Sequence, residues 1–171
     1  MKIKKGYSAN FESEIREIFF ESSSRTIFEN EQEKESFFHK YLGFYLENYP
    51  EHVYLALENE NLLGYLCGVV DSSKEEKLNH LLSHYQIFSN YYPDYPAHLH
   101  MNVTESARGK EVGASLLEAF CVELKKQNIK GLHIITSIQA RNRHFYSKNS
   151  FLFEKQHQNL LFMGRTISNS N

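Results

Sequence analysis

The stretch LHMNVTESARGKEVGASLL, Leu99 to Leu117, decides how this chain reads. Its first five residues finish an alternating run, Ala97 to Val103, that has strand character, and TESARGKE follows as a polar turn. From Val112 to Asn128 the residues Val112, Leu116, Leu117, Phe120 and Leu124 recur at helical spacing, with Lys125 and Lys126 in the last turn, where cations suit the helix dipole. A strand that turns this tightly into a helix aims several unmatched N–H groups of Gly109 to Ala114 at one spot. Phosphate is the occupant that suits such a spot. Gly109 and Gly113 admit close approach, and Arg108 and Lys110 add charge-assisted contacts.

Rival phosphate patterns fail on particular residues. In GxxxxGK[ST] the first glycine would be Thr104 and the hydroxyl residue would be Glu111, and GxGxxG does not occur. A nucleotide-hydrolysing loop is excluded.

Upstream, Met1 to Tyr7 reads as an edge strand and Asn10 to Glu21 as a helix burying Phe11, Ile15, Ile18 and Phe19. A loop over SSSRTIFEN precedes a second helical stripe from Glu31 to Asn48, ended by Tyr49-Pro50. His52 to Glu58 and Leu62 to Val70, joined by Asn59-Glu60-Asn61, form a β-hairpin. A charged helix is expected from Lys74 to Phe88, before the aromatic connection SNYYPDYPAH. Downstream, Gly131 to Ser137 is a strand, Arg141 to Asn149 a short helix, and Phe151 to Thr166 a closing pair of strands. No repeat or linker interrupts this order, which predicts a single α+β domain over residues 1–171 built on a mixed sheet.

Composition narrows the function. The 171 residues are 41% hydrophobic, with 11 tyrosines and 13 phenylalanines, so a sizeable core is available without disulfides or metal. A net charge of −2 offers no field to gather phosphate backbones, and no nucleic-acid partner is expected. The longest uncharged apolar run, Leu62 to Val70, is far shorter than the roughly 20 residues of a membrane span. MKIKKGYSANF lacks the apolar core of a signal peptide, and Cys67 and Cys121 sit in apolar surroundings as reduced thiols do; a cytoplasmic protein is expected. Whether it forms a homodimer is left open.

The second chemical signal is ARNRHFYSKNSF, Ala140 to Phe151. Together with the turn at Arg108 to Gly113, it resembles the Gcn5-related N-acetyltransferase (GNAT) family, over about His98 to Glu154. That family carries Q/R-x-x-G-x-G/A at the start of its central helix, matched by Arg108-Gly109-Lys110-Glu111-Val112-Gly113. It also carries an Asn before FYxKxGF, matched by Asn142 and Phe145 to Phe151. Two departures stand out. Glu111 replaces the first glycine of the first motif, where a carboxylate repels phosphate unless it turns outward. Ser150 replaces the glycine of the second, which asks for an altered turn.

The resemblance implies a GNAT-like fold: a central mixed, mostly antiparallel sheet of six to seven strands flanked by helices. It implies an enzyme that moves an acetyl group from acetyl-coenzyme A to an amine by direct attack, without a metal. The acceptor is a small molecule sooner than a protein. The cofactor-binding residues would be Met101, Asn102 and Val103 along the pantetheine arm, Arg108, Gly109, Lys110, Glu111, Val112, Gly113 and Ala114 around the pyrophosphate, and Asn142. Tyr146 would protonate the departing thiolate, since a phenol stays protonated near neutrality. His98 and His100 share a strand face and look like the histidine pair of arylalkylamine acetyltransferases, and of some acetyltransferase-like domains associated with O-GlcNAc hydrolases. Either would serve as base, with Glu105 as a further candidate; two hydrogen-bonded histidines in a half-buried strand fit the same residues. A catalytically silent acyl-coenzyme A binding module is the alternative, favoured by Glu111. His80 and His84 stand four apart but lack the Glu of HExxH and a third ligand, so they read as a solvated face. The tyrosines 85, 91, 92 and 95 line an acceptor pocket or form a satellite aromatic core beneath the long connection.

Overall fold

The computed structural model describes residues 1–167, so the last four residues of the expected domain lie outside it. Seven strands form one mixed sheet in the order β1-β2-β3-β4-β5-β7-β6. They are β1 Lys2–Lys5, β2 Val53–Glu58, β3 Asn61–Val69, β4 Ala97–Val103, β5 Gly131–Ser137, β6 Phe153–His157 and β7 Leu160–Thr166. The β1/β2, β2/β3, β5/β7 and β6/β7 pairs are antiparallel, and β4/β5 is parallel. The helices are α1 Glu12–Ser22, α2 Glu31–Phe38, α3 Phe44–Asn48, α4 Glu76–Leu81, α5 Val112–Lys126 and α6 Arg143–Lys148. The chain divides into two compact units, Met1–Gly68 with His100–Phe120, and Val69–Leu99 with Cys121–Asn171.

In the first unit the β2/β3 turn is a two-residue loop, with Glu58 paired to Asn61 and both Asn59 and Glu60 at positive φ. That backbone twist matches the strands it joins. Asn30 caps α2, its Oδ1 accepting from the Glu33 N–H at 2.9 Å. The helix expected from Glu31 to Asn48 is interrupted by a π-turn at His39–Gly43, which resets the register so that Phe38, Leu42, Tyr45 and Leu46 are all buried. Gly64 lets β4 approach β3, because a Cβ there would lie 2.8 Å from the Asn102 carbonyl oxygen. Buried in this unit are Ile15, Ile18 and Phe19 of α1 together with Leu55, Tyr65, Leu116 and Phe120.

In the second unit the expected helix from Lys74 to Phe88 is corrected. Only Glu76–Leu81 is α-helical, and Ser83–Tyr91 winds as a 3₁₀-helix. Three residues per turn put Tyr85, Phe88 and Tyr91 on one side, where all three join the aromatic cluster. Phe88 meets Phe162 at 5.6 Å between ring centroids, and Tyr95 stacks on Phe153 at 5.0 Å. The four tyrosines of this region therefore build the satellite aromatic core. His133 lies at its centre, stacked on His98 (4.9 Å), Tyr92 (4.9 Å) and Phe162 (4.7 Å), with its Nδ1–H donated to the Tyr95 carbonyl at 2.6 Å.

His133 is fully buried, and burial pushes its pKa down from 6.5 to about 4. A folded-state pKa below the unfolded value means that the unfolded chain binds the proton first as pH falls. Stability from this group is therefore complete above about 6.5 and is lost as pH falls toward 4, by on the order of 3 kcal/mol. Urea unfolding at pH 7.5 and 4.5 is expected to show a loss in His133→Gln that is smaller than that of wild type by about this amount, the share of His100 remaining in both. Equal pH dependence of the two proteins would exclude a neutral buried imidazole at this position.

Candidate active site

The first unit carries the turn into α5. Thr104 N–H donates to the Leu63 carbonyl at 2.9 Å, which ties the end of β4 to β3. A short 3₁₀ turn, Glu105–Ala107, follows, and Ala107 and Val112 are buried while residues 108–111 are exposed. Arg108 N–H donates to the Glu105 carbonyl and Lys110 N–H to the Ala107 carbonyl, at 3.2 Å each. Helical pairing resumes with Ser115 N–H, which donates to the Glu111 carbonyl at 2.9 Å. Among the described residues no backbone acceptor is recorded for the N–H groups of Gly109, Glu111, Val112, Gly113 and Ala114. Five unmatched donors at the start of a 15-residue helix are an arrangement from which a polyanion could accept.

Gly109 has φ +78°, and a Cβ added there would meet nothing within 4 Å, so its role is conformational. Glu111 stands at φ +61° and Ser150 at +68°, both left-handed. The two positions where the sequence departs from the family's glycines are thus positions where the backbone keeps a glycine's conformation. The Glu111 side chain is exposed to solvent.

On β4, Met101, Asn102 and Val103 are half-buried, and the Asn102 side chain is spent on its neighbours: Nδ2 donates to the Tyr65 hydroxyl at 2.8 Å. The His100 ring is half-buried between Phe19 and Tyr65, and burial pushes its pKa down from 6.5 to about 4. A limb in a pH profile that belongs to His100 would therefore fall near 4 and not near the free histidine value. Glu105 is exposed.

The second unit carries the remaining candidates. Asn142 precedes α6, its Oδ1 accepting from the Thr136 hydroxyl at 3.1 Å, so the side chain is oriented while its amide Nδ2 is left to donate. Tyr146 is buried, with its ring edge-on to Phe145 and Phe151. Burial drives its pKa well above 10, and its hydroxyl has no hydrogen-bond partner among the described residues. Such a phenol is a proton donor that is always loaded. His98 is 7% exposed, stacked on His133 and edge-on to Tyr85. His80 and His84 are exposed, and among the described residues no group of three or more His, Cys, Asp or Glu is placed to hold a metal ion. Sequence reasoning missed Thr136 and Tyr65, whose partners come from other segments of the chain.

The profile of the acetyltransferase (GNAT) family matches residues 13–151. This chain belongs to that family. As a GNAT acetyltransferase it is an acyltransferase that uses acetyl-coenzyme A, and the unmatched donors at α5 suit that cosubstrate's pyrophosphate. No curated protein matches it in sequence. Solved structures share its fold. SsHAT is 17% identical over 98% of both chains, with a TM-score of 0.78. An N-acetyltransferase from Staphylococcus aureus Mu50 is 14% identical over 98% of both, with a TM-score of 0.64. The N-acetylglutamate synthase of Neisseria gonorrhoeae, solved with coenzyme A and N-acetyl-glutamate, is 12% identical over 98% of this chain and 35% of that one, at a TM-score of 0.64. No helix among the described residues is long and apolar enough to cross a membrane.

Glu111→Gly removes both the left-handed strain and the carboxylate, whereas Glu111→Ala removes the carboxylate alone. Thermal unfolding should rank Gly above wild type by a few tenths to about 1 kcal/mol, after the greater unfolded-state entropy of glycine is subtracted, and Ala at or below wild type. Both variants should bind coenzyme A more tightly in calorimetry if the carboxylate repels phosphate. Tighter binding in Gly alone would assign the handicap to the backbone.

Proposed function

We propose that this GNAT enzyme, acting as one domain, transfers the acetyl group of acetyl-coenzyme A to the amine of a small molecule by direct attack. The observation that carries this reading is the set of unmatched N–H donors from Gly109 to Ala114, flanked by Arg108 and Lys110. These amides would hold the pyrophosphate and the backbone of Met101 to Val103 the pantetheine arm, while for Asn142 the family resemblance and its free amide Nδ2 support a contact with the cosubstrate. The amine nitrogen bonds to the thioester carbon and loses one proton to a base or to water, the carbon–sulfur bond breaks, and Tyr146 gives its proton to the sulfur and takes one back from water. A phenol that burial keeps protonated near neutrality, with no hydrogen-bond partner among the described residues, supports that role. Positioning of amine against thioester supplies most of the rate.

The histidines of β4 support an amine acceptor of the kind used by the arylalkylamine branch, with His98 or His100 as the acid–base group. The segment Ser22 to Asn30 borders an open depression of about 590 Å³ lined by Phe20, Arg25, Phe28, Glu29 and Lys34. Its mixed aromatic and charged walls favour a small polar molecule with an apolar part.

Acetyl-coenzyme A is expected to raise the melting temperature by binding the folded state alone, and Gly113→Asp, which sets a carboxylate against the pyrophosphate, is expected to abolish that rise. No binding at millimolar cofactor would remove the proposed site. Free-thiol release should appear with some member of a panel of polyamines, arylalkylamines, aminoglycosides and amino acids, and stay absent with peptides.

Tyr146→Phe keeps the ring and its packing. It should lower kcat by about 10²–10⁴-fold while leaving cofactor affinity within a few fold, because the proton is needed only in the transition state. Full activity in the Phe variant would take Tyr146 out of the mechanism. Absence of turnover by wild type across the panel would favour the silent binding module.

A further inference from the structure

Three polar side chains meet in the interior of the first unit. Asn102 Nδ2 donates to the Tyr65 hydroxyl oxygen at 2.8 Å and lies 3.2 Å from His100 Nε2, and the Tyr65 hydroxyl lies 3.2 Å from the same nitrogen. An amide NH₂ has two hydrogens and no lone pair to offer, so its contact with Nε2 requires that nitrogen to be the acceptor. Because the Tyr65 oxygen already accepts from Asn102, its own hydrogen is free to point at Nε2 as well. Among the described residues no charged group acts on the ring. Phe19 packs on it from α1; Tyr65 and Cys67 face it from β3, the Cys67 thiol donating to the His100 carbonyl at 3.6 Å. Burial raises the pKa of both the phenol and the thiol, so each stays neutral. Among the described residues Nδ1 of His100 has no hydrogen-bond partner.

We infer that Tyr65 and Asn102 are positioning residues for His100: they hold Nε2 as a hydrogen-bond acceptor, fix the neutral Nδ1–H tautomer, and so make Nδ1–H the group that His100 presents to the reactants. This rests on the reading of His100 as a participant in acetyl transfer and changes its part in it. With Nε2 engaged by two donors, adding a proton there would set N–H against N–H and O–H. His100 therefore donates a hydrogen bond through Nδ1 and does not collect the amine's proton at Nε2. The depressed pKa of the ring agrees with that assignment.

The test is ¹⁵N NMR of the whole chain labelled at histidine, with the His100 signals identified by their loss in His100→Gln. Wild type at pH 7 should show a protonated Nδ1 and an unprotonated Nε2. Tyr65→Phe keeps the ring and removes one donor, and should move the tautomer toward a mixture and lower kcat roughly tenfold, the worth of one hydrogen bond. Asn102→Asp replaces a donor by an acceptor. It should shift the proton to Nε2 and raise the His100 pKa, a readout that a purely structural role would not move. Wild-type signals showing Nε2 protonated, or unchanged by Tyr65→Phe, would overturn the inference while leaving His100 available as an acid–base group. The expected tautomer combined with full activity in His100→Gln would instead show that His100 takes no part in transfer, and the positioning role would fall with it.

Discussion

The first turn of any helix leaves backbone N–H groups that the helix itself cannot match, and in this chain those of α5 stay without a backbone acceptor. Everything around them in the first unit serves to hold that arrangement still. Gly64 allows β4 to lie close to β3, the Thr104 N–H donates to the Leu63 carbonyl, and Ala107 and Val112 are buried on either side of an exposed loop. Leu116, Leu117 and Phe120 then anchor the helix behind it. Buried apolar residues fix the backbone so that exposed backbone can carry the chemistry. By that division of labour a protein of net charge −2 can still present unmatched donors of the kind the proposed pyrophosphate site needs.

Each unit also buries an imidazole, and the physical terms are the same in both. A neutral ring in an apolar setting is tolerable when its N–H donor has an acceptor or its lone pair has a donor. In the second unit the Tyr95 carbonyl takes the Nδ1–H of His133, and aromatic rings cover the faces of the ring. In the first unit neutral donors from Tyr65 and Asn102 surround Nε2 of His100. Among the described residues no carboxylate pairs with either ring, and so burial, which favours the uncharged form, decides the protonation state.

What the sequence made legible was local. Val112 to Lys126 has one apolar stripe, Gly131 to Ser137 one apolar run with a glycine in front, and both elements lie where the pattern put them. The segments that departed from expectation are those where tertiary packing chose the winding. Ser83–Tyr91 carries apolar residues that suit either a 3.6- or a 3.0-residue turn, and the aromatic cluster selects the second. His39–Gly43 inserts a π-turn that no composition signal announces. The partners of the site residues were hidden for a different reason. Tyr65 sits within an apolar strand and meets His100 across 35 residues of chain, a distance over which one sequence carries no register. Thr136 ends a strand and looks like any other polar strand end.

The two departures from the family's glycines bear on whether this site still works as a site. A non-glycine residue in the left-handed region costs on the order of 1 kcal/mol, and a chain released from the need for that geometry can relax to an ordinary turn. Glu111 and Ser150 both keep it. At Glu111 the carboxylate is exposed while the N–H groups behind it remain unmatched, so the side chain has changed and the backbone has not. A site whose recognition runs through side chains would be damaged by Gly-to-Glu; one whose recognition runs through backbone N–H groups keeps its donors and adds one repulsive charge at its rim. The left-handed backbone at Glu111 therefore supports the proposed cosubstrate site over the reading of a fold that has abandoned its cosubstrate.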